Sequence, residues 1–245
     1  MKNEIAIKIC FESKTSWSNI LRDIVRNKLF GFIPLTVESS DRNNFDEQEF
    51  LEDLKQIERN EGIIFRGENN EQLTVSYPAG ENTPLTFTWK VCDRNFDRTL
   101  IEDFSVMNGF VCAYVYNYWD VFWQSNKSIS DYGVFGKSGV ENLPKTRDKW
   151  DREIIDVLNN HGRQTLLKDF WLLAANEMWF SNKFFEMVAP KTKLLKFPGC
   201  SITKNGLVYC FLENIDAEPD QLRPRQKAFR DYINAKRIEK KFSLI

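Results

Sequence analysis

The stretch GFVCAYVYNYWDVFW, residues 109–123, is apolar on both faces when it is read as an extended strand. A strand of this kind is covered on both sides by other parts of a protein, whereas a strand with one solvated face alternates polar and apolar residues. The sequence therefore predicts that residues 109–123 lie in the middle of a sheet.

The segments nearest the N-terminus predict two more strands. Residues 4–11 carry Ile5, Ile7 and Ile9 on one face together with Phe11, and this alternation predicts a half-buried strand. The segment FIPLTV predicts a second, short strand, and its proline places that strand at an edge or at a strand start, because proline cannot donate to a neighbouring strand.

Three strands are predicted between these segments and the central stretch. They are IIFRG, QLTVSY and LTFTWKV, and the last two alternate polar and apolar residues along their length. The polar turns ENN and PAGENTP separate them, which indicates hairpins.

Two helices are predicted among these strands. Apolar residues spaced three and four apart predict a helix that is capped by Ser16 or Ser18 and stops at Gly31. The acidic segment NNFDEQEFLEDLKQIERNEG, residues 43–62, has acidic residues in its first turns, where the helix dipole favours them. Its apolar stripe consists of Phe50, Leu51, Leu54 and Ile57.

After residue 140 the spacing of apolar residues becomes helical. It predicts one helix over residues 146–160 and another over 163–180, with a break at Asn160, His161 and Gly162.

The C-terminal segments predict one more strand and a closing helix. KNGLVYCFLE indicates a strand opened by an Asn-Gly turn. RPRQKAFRDYINAKRIEKKF indicates a basic amphipathic helix with Pro224 near its first turn. Its aromatic residues fit the inward face of such a helix, so core packing is favoured over nucleic-acid binding.

Strands and helices that are partly segregated along the chain predict an α+β fold. We expect a mostly antiparallel sheet with helices packed on it and a helix-rich C-terminal half. Residues 1–245 are interpreted as a single compact domain, with an alternative boundary near residue 140 that would separate a sheet-rich part, 1–140, from a helix-rich part, 141–245.

Composition and cysteine usage predict a soluble cytoplasmic protein. Hydrophobic residues make up 42% of the chain and charged residues 28%, which is typical of a globular protein. The five cysteines are widely spaced without a CxxC pair, and four lie in apolar runs, so we expect reduced core thiols and a reducing compartment. The first residues lack the apolar core of a secretion signal, and no run reaches the ~18 apolar residues of a membrane span.

The near-zero net charge of −1 conceals a marked asymmetry. Residues 37–82 contain twelve acidic and four basic residues, a balance of −8. Residues 183–245 contain thirteen basic and seven acidic residues, a balance of +6. Two solvated faces explain this pattern, and so does an acidic region that attracts a basic partner.

Gly136-Lys137-Ser138 is close to a phosphate-binding loop but lacks its first glycine. The motif GxxxxGK[ST] requires a glycine at the position of Asp131, whose carboxylate would repel a phosphate. Pro144 also interrupts the segment where the motif needs a helix. The sequence therefore favours a connecting loop without nucleotide binding.

Other catalytic arrangements have little support in the sequence. His161 is the single histidine, so a zinc site of several His and Cys ligands or a Ser-His-Asp triad would depend on it alone. Glu12-Ser13-Lys14 has the E-x-K form of some metal-dependent nucleases but lacks an acidic residue on an earlier strand. We predict no catalytic, cofactor-binding or metal-binding residues; a hydrolase or nuclease that uses scattered carboxylates and a metal is the alternative.

The segment MWFSNKFFEMVAPKTKLLKFPGC, followed by a short strand and the pattern R-x-R-Q-x-x-F-R-x-Y-I, resembles a group of bacterial immunity proteins. These are the immunity proteins of polymorphic toxin systems, of the type called immunity protein 52, and the resemblance covers about residues 165–235. It implies a compact, cytoplasmic, non-catalytic protein that covers the active site of a cognate toxin, and it implies no catalytic residues.

A basic nuclease domain is one toxin that would suit an acidic surface, because carboxylates imitate phosphate charge and speed capture. The predicted partner-binding surface lies on the acidic helix outside its apolar stripe. It consists of Asp46, Glu47, Glu49, Glu52, Asp53, Glu58 and Glu61.

Overall fold

The computed structural model describes residues 4–38, 44–54, 62–76, 83–91, 97–188 and 190–242. Its main feature is a nine-stranded sheet in which every pair of neighbouring strands is antiparallel. The strands are β1 (Ile5–Phe11), β2 (Thr36–Glu38), β3 (Ile63–Arg66), β4 (Gln72–Ser76), β5 (Leu85–Val91), β6 (Phe110–Asn117), β7 (Lys145–Arg147), β8 (Glu153–Ile155), β9 (Thr165–Leu167), β10 (Phe170–Leu172), β11 (Glu177–Phe180), β12 (Cys200–Ile202) and β13 (Val208–Phe211). The sheet order is β12-β13-β11-β6-β1-β5-β4-β3-β2, while β7–β8 and β9–β10 form separate hairpins.

Helices cover both faces of this sheet. They are α1 (Trp17–Arg26), α2 (Glu47–Asp53), α3 (Thr99–Ser105), α4 (Tyr118–Ser125), α5 (Ile129–Val134), α6 (Asn182–Met187), α7 (Lys191–Leu194), α8 (Pro219–Ile233) and α9 (Ala235–Phe242), with a short 3₁₀ turn at Val140–Asn142. One core cluster joins α1, α2 and α3 to one face, and a second joins α6, α8 and α9 to the other. The predicted α+β class, with a large antiparallel sheet and packed helices, is confirmed.

The central stretch of the sequence divides between a strand and a helix. Residues Phe110–Asn117 form β6, which lies in the interior of the sheet between β1 and β11, as predicted. The strand ends because the side chain of Asn117 accepts a hydrogen bond from the backbone N–H of Asp120 at 3.0 Å, and this cap starts α4. Residues Tyr118–Ser125 are therefore helical, and the prediction of a strand to residue 123 is wrong.

The first strand, β1, is buried on both faces and not on one. Ile7 and Ile9 pack against the α1 and α3 side, whereas Ala6 and Cys10 face the cluster built by β10, α6 and α8. The prediction of a half-buried strand is wrong because the C-terminal part of the chain covers the second face. β6 pairs with β11, so strands from both sides of residue 140 belong to one sheet.

The helices predicted over residues 146–160 and 163–180 are strands in the structure. Asp151 and Asp169 have φ angles of 63° and 65°, a left-handed conformation that lets the chain reverse tightly between β7 and β8 and between β9 and β10. Apolar residues at helical spacing here fill short strands because pairing with neighbouring strands overrides the local preference.

The ends of two further helices differ from prediction. α1 stops at Arg26, where the backbone N–H of Asn27 closes the last turn, and not at Gly31. The closing helix begins at Pro219, so Pro224 lies inside it. Asn234, with a φ angle of 58°, ends α8, and α9 follows as a separate helix.

The cysteines divide between free thiols and a disulfide. Cys10 and Cys112 are buried free thiols, as predicted, and Cys92 lies outside the described residues. Cys200 and Cys210 are directly opposite in β12 and β13, with a Cα–Cα distance of 4.1 Å, and form a disulfide. The prediction of reduced thiols is wrong for this pair, because a hairpin makes them neighbours despite a sequence separation of 10.

None of the helices described in the structure is both long enough and apolar enough to cross a membrane.

Candidate functional site

The predicted partner-binding carboxylates lie on and beside α2. Asp46 precedes the helix and caps it, since its Oδ1 accepts a hydrogen bond from the backbone N–H of Glu49 at 2.8 Å. Glu47, Glu49 and Glu52 are exposed, and Asp53 is half-buried. We call these five carboxylates the acidic surface. Glu58, Glu61 and Ile57 lie outside the described residues.

Aromatic packing holds α2 against the sheet. Phe50 is 4% exposed and lies 5.2 Å from Phe65 of β3, measured between ring centroids. The ring of Phe45 packs on the same Phe65 ring, with centroids 5.6 Å apart. Leu54, at the C-terminal end of the helix, is only 1% exposed. Because the apolar side of α2 is fixed in this way, its carboxylates project outward from a supported element.

Two exposed apolar side chains lie next to the acidic surface. Ile33 is 80% exposed and Leu35 is 50% exposed. The backbone N–H of Phe45 donates to the carbonyl oxygen of Leu35 at 2.9 Å, which places this pair beside the start of α2. The exposed apolar pair and the carboxylates of α2 are therefore neighbours on the surface of the protein.

The sequence prediction missed this apolar pair because it assigned FIPLTV to a strand. Only Thr36–Glu38 forms the strand β2, which lies at the edge of the sheet, as predicted. Pro34 separates the two apolar residues and has no backbone N–H to pair, and that was the available signal that residues 33–35 leave the sheet.

Removing the cap of α2 should destabilise the protein by about 1 kcal/mol. Asp46→Ala leaves the backbone N–H of Glu49 without its side-chain acceptor, so urea denaturation should give a lower midpoint with an unchanged slope. A midpoint equal to that of the wild type would contradict the capping role. Because Asp46 supports the helix, it is unsuitable for tests of binding.

The E-x-K segment at residues 12–14 makes contacts with the C-terminal part of the chain. Glu12 forms an ion pair with Lys183, and the hydroxyl of Ser13 donates to Asp169 at 2.6 Å, so the E-x-K segment takes part in structural contacts. Within the described ranges, no group of three or more His, Cys, Asp and Glu side chains is placed to hold a metal ion.

Gly136-Lys137-Ser138 follows α5, and Lys137 and Ser138 contribute to the wall of a cavity of about 670 Å³. Aromatic residues form part of this wall; the indoles of Trp119 and Trp123 stack with centroids 6.2 Å apart. Its charged lining residues are the carboxylates Asp120, Asp156, Asp216, Glu218 and Asp220 and the cations Lys137 and Arg223. The five carboxylates outnumber the two cations, so the charge of this wall is unfavourable for a phosphate.

The carboxylate of Asp120 in this wall is already occupied. It forms an ion pair with Arg223, whose Nη1 also donates to Gln226 at 2.7 Å. The arrangement therefore ties α4 to α8 and does not present Asp120 as a free acid or base.

Compared with known proteins, the chain matches no family model, no curated protein and no solved structure, so its function has to be inferred from its own residues.

Proposed function

We propose that this chain is a bacterial immunity protein that binds a cognate toxin and covers the toxin's active site without catalysis. The observation that carries the proposal is the acidic surface on α2 with Ile33 and Leu35 beside it. A basic nuclease domain is the partner whose charge fits this surface best.

Electrostatics supports this partner through the rate of encounter. Residues 37–82 carry a balance of −8, and opposed potentials can raise association rates by 10- to 1000-fold at low salt. The exposed apolar pair would supply the desolvated contacts that retain a partner after encounter. Capture by charge and retention by apolar contact suit a stoichiometric inhibitor.

The resemblance to immunity proteins concerns the core more than the surface. Within the resembling segment, Phe180 stacks on Phe184 with centroids 4.2 Å apart, and Phe229 of α8 stacks on Phe180 at 6.3 Å. All three rings are buried. The residues of this pattern therefore pack β11, α6 and α8 together in this chain, and the binding surface has to be argued from charge and exposure.

Neutralising the acidic surface should slow association with the toxin about tenfold at low salt and flatten the salt dependence of the association rate. The variant combines Glu47→Gln, Glu49→Gln, Glu52→Gln and Asp53→Asn and keeps the Asp46 cap. Surface plasmon resonance at several salt concentrations would measure the rates.

A control variant should change net charge equally on other exposed positions. It combines substitutions to the corresponding amides at Asp103, Glu141, Glu186 and Glu218. The proposal expects this variant to retain most of the wild-type association rate. Equal slowing in both variants, or unchanged kinetics in the first, would remove the acidic surface as the binding site.

Identifying the toxin requires purification from the native bacterium followed by a growth assay. A captured protein that stops growth when expressed alone, and permits growth when expressed with this chain, would support the proposal. A neighbouring upstream gene for a large secreted protein with a toxin domain would point to the same partner. Turnover of nucleic acid or ester substrates by the purified chain with added metal would favour the alternative, a carboxylate-based hydrolase or nuclease.

The proposal places the chain in the cytoplasm, where a toxin that has entered the cell acts. Disulfides are rare in that compartment, so the hairpin that holds Cys200 and Cys210 has to be stable there with or without the disulfide. Pairing of β13 with β11 and burial of Cys210 support the hairpin without the covalent bond.

A further inference from the structure

A second cavity, of about 430 Å³, lies at the junction of α8 and α9 and has a basic lining. Asn234 adopts a left-handed conformation that ends α8, and the loop between β8 and β9 faces this junction. We call it the basic cavity; its titratable lining residues are His161, Arg163, Lys227, Arg230, Asp231 and Lys236. Four permanent cations here face one carboxylate.

Two of these cations are buried guanidinium groups that share a single carboxylate. Arg163 is 8% exposed and Arg230 is 6% exposed. Arg163 Nη2 donates to Glu239 Oε2 at 2.7 Å, and Arg230 Nη2 donates to Glu239 Oε1. Two buried positive charges therefore depend on one negative charge from α9, although a buried charge is stable only when it is compensated.

The compensation of Arg230 is incomplete. Its Nη1 is buried and finds no hydrogen-bond acceptor among the residues that the structure describes. Arg163 Nη1, by contrast, donates to the carbonyl oxygen of Asn160 at 3.2 Å. A buried guanidinium nitrogen without an acceptor is rare, because leaving it unpaired costs more than the bond itself contributes.

The remaining charges of the cavity do not restore the balance. The carboxylate of Asp231 forms an ion pair with Lys227 at 2.8 Å. It therefore compensates the charge of Lys227 but not that of Lys236. Arg163, Arg230, Lys227 and Lys236 against Asp231 and Glu239 leave an excess of two positive charges. Asp156 also acts on Arg163 and reduces the excess to about one.

We propose that the basic cavity binds a phosphate group, either as free phosphate or as the end of a phosphate monoester. Phosphate carries between one and two negative charges near neutral pH, which matches the excess, and guanidinium and ammonium groups are its usual partners. The first turn of α9 lines the cavity through Ala235 and Lys236, and the dipole of that helix favours an anion there.

This binding site is independent of the proposed toxin inhibition, because it uses none of the residues of the acidic surface. The acidic surface suits a basic partner, whereas the basic cavity combines a loop that contains His161 and Arg163 with Lys227, Arg230 and Lys236 of the segment whose balance is +6. Loss of one activity would therefore leave the other measurable.

His161 provides a direct probe of the basic cavity because it is the single histidine of the chain. Burial lowers the pKa of His161, and the positive charges of Lys227, Arg230 and Arg163 lower it further, against a smaller opposing effect of Asp231. A bound phosphate would place negative charge beside the imidazole and favour its protonated form, so the pKa of His161 should rise on binding.

The experiment follows the imidazole C–H proton signal of His161 by NMR as pH is varied, with and without inorganic phosphate. Sodium chloride keeps the ionic strength constant and serves as the control for general screening. We expect roughly 10 mM phosphate, which saturates a site of millimolar affinity, to raise the pKa of His161 by about one unit. An unchanged pKa would overturn the proposal.

Variants then separate the basic cavity from general surface charge. Lys236→Gln removes an exposed cavity cation without touching the buried arginines and should weaken phosphate binding about fivefold or more. Lys240→Gln, an exposed lysine on the same helix outside the cavity lining, should leave it unchanged. Equal affinity of both variants would also overturn the proposal, provided that circular dichroism shows both to be folded.

A comparison of two probes identifies the form of the ligand. Phenyl phosphate that binds about tenfold more tightly than inorganic phosphate would indicate a monoester, since Leu158 offers an apolar wall to the attached group. Similar affinities would indicate free phosphate. Failure of both probes to move the His161 signal would exclude the site.

Discussion

Replacing Lys8 with methionine is expected to stabilise the folded protein by about 3 kcal/mol at pH 7. Lys8 lies in the interior strand β1 and is 6% exposed. Its Nζ donates to Gln164 Oε1 and lies 4.1 Å from the ring centroid of Trp171. These partners do not replace hydration, because burial lowers the pKa of Lys8 from 10.5 to about 8 even though Cys10 and Cys112 act to raise it.

The pH dependence of stability follows from the direction of this shift. The folded-state pKa is lower than the unfolded one, so the unfolded chain binds more protons between about pH 8 and 10.5, and stability rises with pH through that window. Below pH 8 the full penalty of the buried ammonium is present. Lys8→Met removes the ammonium, so the increase in the free energy of unfolding between about pH 8 and 10.5 that Lys8 causes should disappear. Methionine fills a similar space, so the packing of the strand should be kept.

Urea unfolding of both proteins at pH 7 and about pH 10 would measure the effect. Lys90→Met on the neighbouring strand β5 is the matched control, because Lys90 is half-exposed and its substitution leaves the ammonium of Lys8 in place. The buried thiols and tyrosines are present in all three proteins, so the comparison with Lys90→Met measures the removal of Lys8 together with its electrostatic coupling to Cys10 and Cys112. Destabilisation of Lys8→Met at pH 7, with an unchanged slope, would contradict the prediction.

Local patterns predicted the N-terminal strands well because each strand carries its own signal. Leu73 and Val75 of β4 alternate with polar residues, and both point to the core, as the period of two requires. Pro34 of FIPLTV was also a local signal, because proline lacks the backbone N–H that an interior strand needs, and it correctly predicted the edge of the sheet. The alternation of β1 concealed its second buried face, because Ala6 and Cys10 are small and Lys8 is ordinarily a surface residue.

The prediction of helices over residues 146–160 and 163–180 was wrong for a different reason. Leu166, Leu167 and Phe170 satisfy the spacing of a helix and that of a hairpin equally, and periodicity does not distinguish short strands from helices. The decision rests on Asp169, which tolerates the left-handed turn, and on the neighbours that these strands meet in three dimensions.

The candidate sites show the same division between local and long-range information. The clustering of the carboxylates of the acidic surface was predictable because they are close together in sequence. The basic cavity was not, because Arg163, Arg230 and Glu239 belong to a loop and two helices that only the fold brings together. The break at Asn234, which allows α9 to return Glu239 toward both arginines, was concealed within a pattern that reads as one continuous helix.

Glu239→Gln should destabilise the folded protein strongly, with a loss of about 3–5 kcal/mol in the free energy of unfolding. Its carboxylate accepts hydrogen bonds from both Arg163 and Arg230 and from the hydroxyl of Thr165 at 2.9 Å. Glutamine keeps the volume but removes the negative charge, so two buried guanidiniums would remain without an ionic partner. Equilibrium urea unfolding at pH 7 measures the loss.

Glu213→Gln is the matched control, since Glu213 pairs with Arg225, a residue whose side chain is 56% exposed. Breaking this pair should change stability by about 1 kcal/mol or less, because exposed ion pairs contribute little. A loss of similar size in both variants would show that Glu239 does not carry the charge balance of the arginines.

Phosphate should partly reverse the damage in Glu239→Gln if the basic cavity binds it. Removing Glu239 raises the positive excess of the cavity by one charge, so an anion that binds only the folded state should bind more tightly and stabilise the variant more than the wild type. The thermal midpoint of the variant should therefore rise more with inorganic phosphate than that of the wild type, and chloride at equal ionic strength should not reproduce the difference. Equal shifts in both proteins would mean that phosphate does not bind beside the two buried arginines, and would overturn the proposed site.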